Sequence, residues 1–173
     1  EKGIEWHTKC LVQGPAMTAI QVHKTLPGEF EYTKIYRFYP RYFVVEAEFN
    51  KRPAVWSRAA YWMPCQFADS AGNRAEIDGK GDGENVAGRA PGVEWYAVWT
   101  NSWAHSAVNL GSKNTNLSYW DAGLLGEVGF SSEDTKGLRA AYVLHGGKDG
   151  PDFAAEDSAA LRALLKVRVL AQP

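Results

Sequence analysis

The chain lacks any apolar run near the roughly 18 to 20 residues that a helix needs to cross a bilayer, so no membrane span is expected. It opens Glu1-Lys2-Gly3, without the basic, apolar and small-residue succession of an export signal. That start fits either a signal already removed or excision from a larger parent chain. Net charge is also missing: 19 Lys and Arg against 20 Asp and Glu leave −1 at pH 7. The long-range attraction to phosphate that nucleic-acid binding needs is therefore absent, and nucleic acid is excluded as the expected partner.

Cysteine is scarce, and neither Cys10 nor Cys65 belongs to a C-x-x-C pair or has a His at zinc-finger spacing. A thiolate-built metal site is thereby excluded. Two readings stay open: one disulfide closing a long loop, or two buried thiols. No G-x-S-x-G, P-loop or G-x-G-x-x-G following a strand occurs, so serine-hydrolase, nucleotide and dinucleotide chemistries lose their usual sign. His7, His23, His105 and His145 are dispersed, without metal-ligand spacing.

What the chain does have is strand pattern in 173 residues, a length suited to one domain. Residues Glu29 to Tyr39 and Tyr42 to Phe49 alternate aromatic or β-branched with charged side chains around Pro40-Arg41, which predicts an antiparallel hairpin. Val45, Ala47 and Phe49 should be buried, with Glu46 and Glu48 on the solvated face. Further strand-like runs lie at Trp6 to Val12, Met17 to His23, Ala59 to Phe67, Val93 to Thr100, Ala107 to Leu110, Gly126 to Phe130 and Leu138 to Leu144.

With turn-rich punctuation between them, these runs predict an all-β, antiparallel β-sandwich of jelly-roll or supersandwich type. One short C-terminal helix is expected, capped by Glu156, Asp157 or Ser158 and presenting Leu161, Leu164 and Leu165 on one face. A last strand through Val167 and Val169 is expected after it.

Residues Asp78 to Gly92 hold five glycines in fifteen positions and read as a long loop. Asp78, Asp82 and Glu84 supply the hard oxygen ligands that calcium prefers, so calcium is the one cofactor the sequence suggests, without requiring any. The spacing is not that of an EF-hand, since Arg89 stands where a bidentate Glu is needed. The alternative is a solvated polar loop.

Seven tryptophans are several-fold above average usage. Trp95, Ala97 and Trp99 fall on one face of a strand, Tyr96 and Val98 on the other. Trp95, Trp99, Trp103 and Trp120, with Asn116, are the candidate ligand-binding residues: aromatic faces stack on pyranose C–H surfaces, and polar side chains bind sugar hydroxyls. The alternative is a Trp-rich core. His105 stands out among the histidines by following an aromatic strand beside Asn101, Ser102 and Ser106.

The passage Ile35-Tyr36-Arg37-Phe38-Tyr39-Pro40-Arg41-Tyr42-Phe43-Val44-Val45-Glu46-Ala47-Glu48-Phe49 resembles strand–turn–strand segments of galactose-mutarotase-like β-sandwich domains of glycosidases and polysaccharide lyases. The resemblance implies an antiparallel supersandwich with a sugar-facing concave surface, and carries over no catalytic motif. Argued locally, a lyase needs a Tyr or His base beside an Arg or Asn that stabilises a uronate enolate. His105, Tyr119, Arg58 and Asn101 are the candidate catalytic residues. The functional expectation is a carbohydrate-active or carbohydrate-binding domain, secreted or periplasmic, with a glycan or polysaccharide partner. The competing expectation is a structural or protein-interaction sandwich that forms an oligomer.

Overall fold

The alternation at 42–49 becomes a strand whose two faces meet different surroundings: Val45 and Ala47 are buried, Glu46 is half-buried and Glu48 is exposed. In the computed structural model, which describes residues 5–26, 30–50, 55–61, 64–78, 88–111, 115–121, 126–132 and 138–166, this strand is the fourth of thirteen.

The strands are β1 (Glu5–Gln13), β2 (Thr18–Leu26), β3 (Phe30–Phe38), β4 (Tyr42–Phe49), β5 (Val55–Tyr61), β6 (Cys65–Asp69) and β7 (Arg74–Ile77). They continue with β8 (Gly88–Pro91), β9 (Trp95–Trp99), β10 (Trp103–Asn109), β11 (Thr115–Asp121), β12 (Gly126–Ser132) and β13 (Leu138–Gly146), followed by helix α1 (Asp152–Lys166).

One sheet of nine strands runs β1-β2-β3-β4-β13-β10-β9-β6-β7, and a sheet of four runs β5-β12-β11-β8. Neighbouring strands pair antiparallel throughout the described residues. The sandwich core lies where Leu117, Val128 and Phe130 of the small sheet meet Val45, Phe67, Tyr96, Val98, Ala107 and Leu138 of the large one.

Helix α1 covers the other face of the large sheet, packing Phe153 and Ala154 on Trp99 and Ala104, and Leu161 on Val44, Val108 and Ala141. Strands β9 and β10 are therefore apolar on both faces, because each face has a layer over it. The Trp95, Ala97 and Trp99 face meets the helix, whereas Tyr96 and Val98 face the small sheet.

The turn from β6 to β7 shows how a buried carboxylate is satisfied locally. Asp69, 3% exposed, accepts from the backbone N–H groups of Ala71 (2.9 Å) and Asn73 (3.0 Å) and from the Asn73 side-chain amide (2.8 Å). Gly72 supplies the positive φ of 90° that this turn requires.

Several expectations are corrected. The run 59–67 is two strands in different sheets, since the chain leaves the small sheet after Tyr61 and enters the large one at Cys65. Residues 88–91 of the expected loop form β8, an edge strand that tolerates Pro91 because only one side is paired. Segment 115–121, outside the strand-like runs of the sequence, is β11, drawn into extended form by its ladders to β8 and β12.

The helix begins at Asp152, four residues before the expected caps, because Pro151 is preorganised for a helix start and Asp152 places an acid in the first turn. Its buried face is Phe153, Ala154, Ser158 and Leu161; Leu164 is 57% exposed. The last strand expected at 167–169 lies outside the described residues. Cys10 and Cys65 do not bridge: Cys10 is exposed on β1, Cys65 is buried on β6, and six strands of the same sheet stand between them.

Candidate functional site

The β3–β4 hairpin closes tightly, the Tyr39 N–H donating to the Tyr42 carbonyl at 2.9 Å across Pro40-Arg41. Pro40 fixes its own φ for such a turn. The closure brings the Tyr39 and Tyr42 rings into a stack, centroids 4.6 Å apart and planes 20° from parallel. Burial raises the pKa of the Tyr42 phenol, and Tyr39 beside it adds to the effect.

Strand β13 lies next to β4 with Tyr42 opposite Val143. Side-chain alternation then puts His145 on the same face as Tyr42 and Val143, one step beyond, where β13 runs alongside the turn. On its other side His145 is opposite Ala104 of β10. Helix α1 lies over this face and supplies Asp157, one of whose oxygens is 2.8 Å from His145 Nε2. The hydroxyl of Ser106 donates to that same oxygen. Phe153 meets the His145 ring edge-on at 4.9 Å.

These elements enclose a cleft of about 740 Å³, lined by the whole stretch from Phe38 to Phe43, by Tyr142 to His145, and by Asp157. Two apolar aromatics, a stacked tyrosine pair, a guanidinium, an imidazole and a carboxylate thus share one opening. Asp157 holds His145 by Nε2, so the second ring nitrogen is the one a ligand can meet. The arrangement can stack on an apolar ring face, bind hydroxyl or carboxylate groups, and place an oriented imidazole for proton transfer.

The residues singled out from the sequence are not gathered in this cleft. His105 is buried in the sandwich core, edge-on to Tyr96 at 5.6 Å and 6.3 Å from Tyr142. Its desolvation lowers the imidazole pKa to about 4; a backbone hydrogen bond at Ser106 opposes that shift, and the charge of His145 adds to it. Trp99 is buried under α1, Trp95 is half-buried beside it, and Trp103 packs against the inter-sheet core.

Asn101 is exposed in the β9–β10 turn. Asn116 is half-buried on β11, opposite Ser131 and Pro91, and Tyr119 and Trp120 follow it on the same strand. Arg58 stands on β5 opposite Gly129. Asp78 is half-buried after β7, and Asp82 and Glu84 lie outside the described residues. Among the described residues no three His, Cys, Asp or Glu side chains converge as a metal site.

Sequence reasoning missed Tyr39, Arg41, Tyr42, His145 and Asp157 as a group. The Tyr-Pro-Arg-Tyr turn was visible as a break between strands, and its two flanking tyrosines are the signal that could have marked it. Nothing in the sequence places Asp157 against His145.

No family model and no curated protein matches the chain. Among solved structures it is similar to alpha-N-acetylgalactosaminidase NagBb of Bifidobacterium bifidum, a quadruple mutant, at TM-score 0.63 and 10% identity over 95% of this chain. The chain spans 31% of that enzyme's length. A second match, the Slr1438 protein of Synechocystis sp. PCC 6803, has TM-score 0.41 and 9% identity over 83% of this chain and 66% of its own. At 10% identity the likeness to the first of these is one of fold.

Proposed function

We propose that this chain is a carbohydrate-binding β-sandwich domain whose ligand seats in the cleft at the β3–β4 turn. The observation that carries the reading is the stacked Tyr39–Tyr42 pair sharing that cleft with Arg41 and the His145–Asp157 pair. A pyranose offers an apolar C–H face and a rim of hydroxyls, and the cleft offers a counterpart to each. The local resemblance to galactose-mutarotase-like domains falls on the same hairpin, and the fold likeness to a segment of an alpha-N-acetylgalactosaminidase agrees with it.

The test is a glycan array followed by affinity electrophoresis in polysaccharide gels, comparing wild type with Arg41→Ala and Tyr39→Ala. Retardation by at least one glycan is expected, weakened about tenfold by Tyr39→Ala, the scale of one lost aromatic stack with its buried area. Arg41 is exposed, so its replacement should leave the unfolding midpoint unchanged while lowering affinity. Glycan binding indifferent to both replacements would move the site elsewhere; binding of no glycan would remove the proposal.

The oriented imidazole favours one second reading, catalysis on a uronate polymer. His145 would take the C5 proton, the electron pair would form the C4–C5 double bond, and the glycosidic oxygen would leave from C4, protonated by a tyrosine phenol. Arg41 would oppose the uronate carboxylate. Appearance of an unsaturated uronate in a depolymerisation screen, lost in His145→Ala, is the expected sign.

A further inference from the structure

The large sheet is wider than the small one, and its core-facing side continues across β3, β2 and β1. Strand register fixes which side chains share that side. Phe49, Tyr32, Lys24 and Trp6 lie opposite one another in one row across β4, β3, β2 and β1. Lys34 is in the next row, opposite Ala47, which is itself in the sandwich core.

Within the row Lys24 stands between the Tyr32 and Trp6 rings. The Lys24 ammonium sits 4.1 Å from the centre of the Trp6 ring, and the Lys34 ammonium 5.7 Å from that of Tyr32. Trp6 is 57% exposed although it is the largest side chain on β1. The acidic residues Glu31, Glu46 and Glu48 alternate to the opposite side, where Glu46 pairs with Arg37 and Arg139. Among the side chains described on β1 to β4, the core-facing side carries Lys24 and Lys34 and no carboxylate.

The same side reaches the rim of the cleft at the β3–β4 turn, around which Tyr39 and Tyr42 stand on the helix-covered side. Phe38, Phe43 and Tyr142 form the row at its far end and line the opening. From Tyr32 to Phe38 is six residues along β3, about 20 Å at strand rise. A ligand reaching from the cleft to Trp6 is therefore a polymer.

We infer that this face is an extended subsite for an acidic polysaccharide, its rings stacking on Trp6 and Tyr32 and its carboxylate or sulfate groups meeting Lys24, with Lys34 in the next row adding positive charge. The inference rests on the carbohydrate reading and adds the charge class and the length of the ligand. Segregation of the carboxylates to the other side provides the complementarity: an anionic chain finds rings and ammonium groups here with no described carboxylate of β1 to β4 among them.

The test uses polygalacturonate, alginate and chondroitin sulfate in affinity gels, each polyuronate paired with its carboxyl-reduced neutral form. Wild type should be retarded by at least one acidic polymer and less by the reduced form. Lys24→Gln and Trp6→Ala should each weaken that retardation about threefold to tenfold, and added salt should weaken it further. Both sites are on an outer strand or beside it, so circular dichroism should show the variants folded.

Equal retardation by acidic and reduced polymers, or retardation unchanged in both variants, overturns the inference while leaving glycan binding at the Tyr39–Tyr42 cleft intact. Retardation by no polysaccharide overturns both together.

Discussion

His145 and Asp157 are joined at 2.8 Å through an oxygen that also accepts the Ser106 hydroxyl, so one carboxylate ties the end of β13 and the middle of β10 to α1. Ser106 is fully buried and the other two are mostly so. The carboxylate therefore both anchors the helix and sets the direction of the imidazole in the cleft.

Replacing Asp157 by Ala should destabilise the fold by about 2 kcal/mol, because it leaves the buried Ser106 hydroxyl and the imidazole without their shared acceptor. Ser106→Ala should cost about 1 kcal/mol. The double variant should cost less than the sum, since both remove the same hydrogen bond. Urea unfolding of the four proteins measures the coupling; strict additivity would show that Ser106 and Asp157 act independently.

Burial of His105 gives a pH dependence whose sign is fixed. The folded imidazole has a pKa near 4, against an ordinary 6.5. Between those values the unfolded chain binds a proton that the native one does not, so this contribution is full above about pH 7. It is lost as pH falls from 6.5 to 4, by an amount on the order of 3 kcal/mol. His105→Phe, which keeps a ring between Tyr96 and Tyr142, should flatten that part of the stability-versus-pH curve in denaturant titrations from pH 7 to pH 4.

Gly147 follows β13 and approaches the β9–β10 turn so closely that a Cβ there would lie 1.9 Å from the Asn101 carbonyl oxygen. The clash is with backbone, which cannot swing aside as a side chain can. Gly147→Ala should therefore lower the unfolding midpoint by several degrees and disturb the adjacent His145, whereas Gly146→Ala, with open space around its Cβ, should do neither. Thermal unfolding of the two variants side by side distinguishes a specific contact from general loop sensitivity.

The strand content was legible where alternation is strict. At 42–49 the period-two pattern states both the strand and its buried face, and at 95–99 it separates the two aromatic faces correctly. It failed where strand formation comes from a neighbour: Gly88–Pro91 has a loop's composition and is extended because β11 lies beside it. The cleft was illegible for the same reason on a larger scale. Tyr42 and His145 are about a hundred positions apart, and the β4–β13 register brings them to one face. The tryptophans drew attention as sugar platforms because a ring's composition is visible in sequence, while the helix that covers Trp99 is visible only in three dimensions.

The order of the large sheet also dictates how the chain can be assembled. Strand β13, the last of the described strands in sequence, lies between β4 and β10 and is the link joining the β1–β4 meander to the β10-β9-β6-β7 half. The meander consists of neighbours in sequence and can zip as each strand emerges from synthesis, but the halves unite only after Leu138–Gly146 has been made. Until then β4 and β10 each present an open edge to any strand that passes. A chain stopped before Leu138 is thus two half-sheets with reactive margins rather than a shorter copy of the whole.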